Sequence, residues 1–120
     1  MPMMKFRDVR RFALSLPQAV EVPHFERTSF RLRGKIFATA PADGSSVNVF
    51  VPEPEIRACV AEDPATFREL WWGTHLVGLK IELASAPDDQ VLELITESWR
   101  RKALKRLARE LDAARPEPKS

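Results

Sequence analysis

Thr28-Ser29-Phe30-Arg31-Leu32-Arg33-Gly34-Lys35-Ile36-Phe37-Ala38-Thr39-Ala40 is the stretch that decides the fold. Phe30 and Leu32 alternate with Arg31 and Arg33, the period of a strand with one buried face. Gly34 supplies a reversal, and Lys35 to Thr39 continues as a second extended segment. Alternation with a glycine at the turn is the signal of a β-hairpin. A sheet that grows from hairpins is antiparallel, because a tight turn joins only antiparallel neighbours.

Toward the C-terminus, Asp43-Gly44-Ser45-Ser46 reads as a second turn and Val47-Asn48-Val49-Phe50-Val51 as a third, largely buried strand. Pro52-Glu53-Pro54-Glu55 opens a helix that should run to about Glu62. Proline fits a first helical turn and glutamate suits the positive helix end. Asp63-Pro64 closes it, and Phe67 to Gly73 is expected to be a loop with a short strand. Leu76 to Leu83 reads as a strand with Gly78 at a bulge. Ser85-Ala86-Pro87-Asp88 offers a hydroxyl cap for a final helix to about Leu111.

Toward the N-terminus, Phe6, Val9, Ala13 and Leu16 form one apolar face of a helix over residues 5–16, ended by Pro17. Residues 17–27 hold two prolines and are expected to be an irregular link. The expected architecture is α+β, an antiparallel sheet with helices packed on one face, in the order α-β-β-β-α-(β)-β-α. It is expected to be a single domain over residues 1–112 with a frayed tail at 113–120, where Pro116 and Pro118 block a helix.

Charge is sorted by segment. Residues 1–40 carry eight Lys/Arg against three Asp/Glu, residues 41–98 three against eleven, and residues 99–120 eight against three. The formal net charge of +2 therefore hides two basic blocks around an acidic middle. Such asymmetry can draw phosphate to one surface while the rest stays soluble. No apolar run approaches the length of a membrane span, and Met1-Pro2-Met3-Met4-Lys5-Phe6-Arg7 lacks the apolar stretch of a secretory signal. A single cysteine, Cys59, rules out an internal disulfide and a cysteine-based zinc site. Together these favour a cytoplasmic protein with no membrane partner.

The opening helix, the segment from Thr28 to Thr39, the strand Val47-Asn48-Val49-Phe50-Val51 and the closing helix together resemble the MmcQ/YjbR-like family. Phe30, Gly34-Lys35 and Phe37-Ala38 carry the strongest part of the match, which covers roughly residues 5–105. The resemblance implies a small α+β fold akin to the bacterial frataxin (CyaY) fold, often described as a double-wing DNA-binding motif. The family's molecular function is largely unassigned, and its DNA-binding label rests on fold similarity. Many relatives carry a lysine after the third strand's apolar run. Here Val49-Phe50-Val51-Pro52 has none, so if that lysine serves ligand contact in the relatives, this chain has lost it. Trp71-Trp72-Gly73-Thr74-His75 looks specific to a subgroup.

Two basic clusters are candidates for phosphate contact. Arg31, Arg33 and Lys35 surround the Gly34 turn, and Arg31 and Arg33 share one strand face by alternation. Cations on a narrow ribbon reach phosphates, although edge strands also use Lys and Arg to block aggregation. In the closing helix, Arg101, Lys102, Lys105, Arg106 and Arg109 fall within one broad sector at 100° per residue. The alternative there is a solvated face favoured by the negative helix C-terminus.

Trp71 and Trp72 would point to opposite sides of a strand, so both cannot be core. One is a candidate to stack on a base, a ligand or a partner, with His75 beside it and His24 as a second contact. Neither His24 nor His75 belongs to a metal-ligand spacing, and an iron site on the first helix is disfavoured by Lys5, Arg7, Arg10 and Arg11 against one Asp8. No Gly-x-Ser-x-Gly turn, phosphate loop or nucleophile with a base is present. Cys59 between Ala58 and Val60 reads as a buried, inert thiol.

The sequence therefore points to a non-enzymatic domain, without cofactor or metal, that contacts nucleic acid through a basic hairpin and basic terminal helices. DNA would be held largely without sequence preference. The alternative is a protein–protein or small-ligand module anchored at Trp71, Trp72 and His75. The last helix also changes face. Val91, Leu92, Ile95 and Trp99 form one stripe, and Leu104, Leu107 and Leu111 another about a third of a turn away. Residues 89–99 should pack on the sheet and residues 103–111 pass its edge, to meet the first helix or a second copy in a homodimer.

Overall fold

The computed structural model describes residues 4–114, with side chains through Lys105. Helix α1 spans Phe6–Ser15. The Asp8 carboxylate accepts a hydrogen bond from the Lys5 N–H at 3.0 Å, satisfying one of the donors that a helix start leaves open. Val9 and Ala13 are buried, and Phe6 and Leu16 flank them as the periodicity requires.

Strands β1 (Ala19–His24), β2 (Arg27–Leu32), β3 (Lys35–Pro41) and β4 (Ser46–Val49) follow. Helix α2 (Glu53–Glu62) leads to β5 (Phe67–Trp72) and β6 (His75–Glu82), and α3 (Asp88–Ala114) closes the described chain. The six strands form one sheet in the order β1-β2-β3-β4-β6-β5, antiparallel throughout. The α+β class and the antiparallel sheet are as expected from sequence.

Four details differ. Residues 19–24 are not an irregular link but strand β1, paired with β2 from Ala19↔Leu32 to His24↔Arg27. Pro23 is tolerated because β1 is an edge strand, where a missing N–H costs no ladder bond. Residues 67–72 form a full strand and not a loop, since β6 offers them a complete antiparallel ladder. Ser85 does not lie at the start of α3: its hydroxyl sits 2.6 Å from Thr66 Oγ1, and the helix begins at Asp88. Finally, α3 reaches Ala114, past the expected helix end near Leu111, and residues 115–120 of the expected tail lie outside the described residues.

The helices cover one face of the sheet. Phe30, Leu32, Phe37, Val47, Val49, Phe67, Leu79 and Ile81 are buried beneath Val91, Leu94 and Ile95 of α3, Val9 of α1 and Ile56 of α2. Polar pairs mark the same face at both edges. Arg10 of α1 bonds Glu21 of β1 at 2.9 Å, and Arg57 of α2 lies 3.6 Å from Glu69 of β5. Two bulges shape the sheet. Phe30 pairs with Ala38 but Arg31 with Ile36, so Phe37 is the extra residue of β3 and turns inward beside Ala38. Leu70 pairs with Gly78 but Trp71 with Leu76, so Val77 is the extra residue of β6. Among the described residues, no helix is long and apolar enough to cross a membrane.

Candidate functional site

Antiparallel pairing brings three places to one end of the sheet: the β2–β3 turn at Arg33-Gly34, the exit of β4 at Phe50, and the β5–β6 turn at Gly73-Thr74. Helix α3 is fastened there by Ser98, which is wholly buried. Its hydroxyl donates to the Phe37 carbonyl at 2.6 Å and accepts from the Phe50 N–H at 2.9 Å. Continued by one position, the Ala38↔Val49 register sets Phe37 opposite Phe50, and the Ser98 hydroxyl bridges the two there.

One helical turn later, α3 reaches the same residue again, because positions three and four apart share a face. Arg101 donates from Nη1 to the Phe50 carbonyl at 3.1 Å. The Lys102 ammonium lies over the Phe50 ring, 5.4 Å from its centroid, within the range of a cation–π contact. The Trp72 ring meets Phe50 at 5.3 Å, tilted by 55°. Phe50 itself is 5% exposed, whereas Trp72 is 60% exposed. A buried ring thus touches both an open indole and an ammonium.

The cations come from two distant parts of the chain. Burial first, then the charges of Lys105, Arg101 and Lys35, push the Lys102 pKa down. That places Lys35 of the hairpin in the same electrostatic neighbourhood as the basic run of α3. Lys35 and Lys105 are exposed, and Arg101 and Lys102 are half-buried.

The remaining candidates are distributed differently. Arg31 bonds the Ser29 hydroxyl at 2.9 Å on the sheet face away from the helices. Arg33 is a turn residue with φ 50°, followed by Gly34 at φ 83°, so it does not share a strand face with Arg31. Both central residues of a two-residue type I′ turn need positive φ, which glycine supplies without strain. Arg33 donates from Nε to Gln18 Oε1 at 2.6 Å. Trp71 is 46% exposed and donates its indole N–H to Glu69 at 3.0 Å. His75 is exposed and pairs with Trp72 across the β5–β6 turn. His24 stands at the opposite end of the sheet, its ring 4.9 Å from that of Phe25, and is not brought to His75. The side chains of Arg106 and Arg109 lie outside the described residues.

The acidic middle of the sequence has its own location. Glu55 of α2 and Asp89, Glu93 and Glu97 of α3 line a groove of about 610 Å³, with Arg100 at its rim. Burial, then Glu97 and Glu93, raise the Glu55 pKa. Among the described residues, no three His, Cys, Asp or Glu side chains form a group that could hold a metal ion. Cys59 is buried, and burial followed by the Glu55 charge pushes its thiol pKa up, which disfavours a thiolate nucleophile.

Sequence reasoning missed Phe50 and Ser98. Phe50 read as one more residue of a buried strand, yet β4 ends at Val49. The usable signal was Pro52, since a strand rarely runs into a proline that begins a helix. Nothing local marked Ser98, a polar residue on an otherwise apolar helix face.

Comparison with known proteins agrees with this architecture. No curated protein matches the sequence. Among solved structures, the crystal structure of Deinococcus radiodurans protein DR2400, described by the family domain DUF419, superposes with a TM-score of 0.69 at 20% identity, over 82% of this chain and 78% of that one. Identity at that level speaks for the fold alone. The YjbR family model matches residues 14–101, from the last two residues of α1 to the Arg101 that holds the Phe50 carbonyl, and the chain belongs to the YjbR family.

Proposed function

We propose that this chain is a non-enzymatic binding domain for the sugar–phosphate backbone of nucleic acid, working in the cytoplasm. The contact surface is the sheet end where Lys35 meets Arg101, Lys102 and Lys105. The observation that carries this reading is a convergence in space: the β2–β3 turn that ends at Lys35 lies at the same end of the sheet as Phe50, on which Arg101 and Lys102 of α3 are both seated, so cations 66 or more positions apart in sequence gather where an anion would relieve them. Lys102 is held against the Phe50 ring with other cations around it, so a phosphate there gains attraction without ordering a free side chain. Arg31 and Arg33 contribute less than their sequence position implies, as each is engaged with a neighbour.

An electrophoretic or anisotropy titration across a salt series tests it. Four phosphate contacts on duplex DNA give a slope of log affinity against log salt of about −3 to −4. Replacing Lys35, Lys102 and Lys105 together by Ala should flatten that slope to about −1 and weaken all sequences alike. No binding at low salt overturns the reading. The exposure of Trp71 and Trp72 favours a second one, a protein or small-ligand module anchored there and at His75, which that outcome would promote.

A further inference from the structure

We infer that the nucleic acid this surface prefers is single-stranded, with an unpaired base stacked on Trp72. The inference rests on the backbone-binding reading above and adds the aromatic half of the site to it. Electrostatics alone would suit a duplex. A duplex hides the faces of its bases in its own stack, so an exposed indole that shares the Phe50 ring with the Lys102 ammonium gains nothing from it. A single strand offers both parts, a π-face and a phosphate, from each nucleotide.

The geometry matches that pairing. Trp72 and the Lys102 ammonium share one neighbour, the Phe50 ring, at 5.3 and 5.4 Å. Phe50 is held from behind by its N–H on Ser98 and its carbonyl on Arg101. The indole is therefore placed before any ligand arrives, yet 60% of the residue is open to solvent. A large apolar ring costs free energy in that position, and the cost is recovered when a base covers it. Lys35 and Lys105, both exposed, extend the positive surface beyond Lys102 for neighbouring phosphates. Stacking tolerates any base, in keeping with phosphate-led binding.

The test compares a short oligothymidylate with a duplex of equal length, at one low salt concentration, by fluorescence anisotropy. The single strand should bind at least about tenfold more tightly than the duplex, the worth of one base stacked on an aromatic ring. Trp72→Ala should weaken the single strand by about tenfold and leave duplex binding within about twofold, while Trp72→Phe keeps most of the single-strand affinity. Lys102→Ala should weaken both ligands. Thermal melting of each variant shows that it is folded. Equal affinity for both ligands with no effect of Trp72→Ala overturns the stacking inference and leaves the backbone reading standing. Equal loss on both ligands in Trp72→Ala overturns it too. Failure of both ligands to bind the wild-type protein sinks both readings together.

Discussion

Ser98 shows how much one buried hydroxyl can organise. It bonds both the Phe37 carbonyl and the Phe50 N–H, groups that no strand pairing satisfies at that point. Both partners are main-chain atoms, so Ser98→Ala would leave a buried donor and a buried acceptor unpaired. We expect a loss of about 1–3 kcal/mol, measured by urea unfolding. The loss should come with weaker nucleic-acid binding, since Phe50, Trp72 and Lys102 are all referred to that bond. A loss of stability with unchanged affinity would separate the site from the pin. Arg33 illustrates the opposite case. Its charge is legible in the sequence, but its backbone conformation, set by the two-residue turn, takes it off the strand face that alternation assigned to it.

The elements were found by their periodicity wherever one face is buried and the other solvated. That holds for α1, β2 and the first half of α3. It failed for β1, whose Val20-Glu21-Val22 alternation is interrupted by Pro23, and gave only a short strand within a loop for β5, which is six residues long with four of them exposed. Such strands exist because a neighbour supplies the ladder, which no local signal contains. The β6 bulge is different, because a glycine announces it. A Cβ on Gly78 would stand 1.9 Å from the Val49 carbonyl oxygen, so the strands could not keep their spacing. Gly78→Ala should therefore destabilise the protein by about 3 kcal/mol or more, since backbone and not a flexible side chain must move. A thermal midpoint within about 2 °C of wild type would refute that account of the glycine.

In the whole molecule, charge sorted along the sequence becomes charge sorted in space. Glu55, Asp89, Glu93 and Glu97 of the acidic middle line the groove between α2 and α3, and Lys35 of the first basic block stands with Arg101, Lys102 and Lys105 of the second at one end of the sheet. Helix α3 touches both regions. Val91, Leu94, Ile95 and Ser98 are buried on the sheet, whereas Leu104 is 58% exposed, in line with the change of face along the helix. Leu107 and Leu111 belong to the undescribed side chains. We propose that the exposed Leu104 lies against a second copy of the chain. Leu104→Glu with Leu107→Glu should then give a folded monomer by sedimentation. A monomeric wild type removes the dimer, and gross unfolding of the variant places the stripe inside the domain.

By itself the sequence determined the class of the fold, the hairpin at Gly34, the three helices and the segregation of charge. Each depends on local physics: side-chain period, turn chemistry, helix ends and simple counting. Only the tertiary structure decided that Lys35 stands with Lys102, that Phe50 leaves its strand to sit beneath Trp72, and that His24 and His75 are at opposite ends of the sheet. These follow from strand order and from the bulges, which depend on pairing between residues far apart in the chain. A one-residue shift in such pairing reverses every face, so no reading of a single strand could have placed the site.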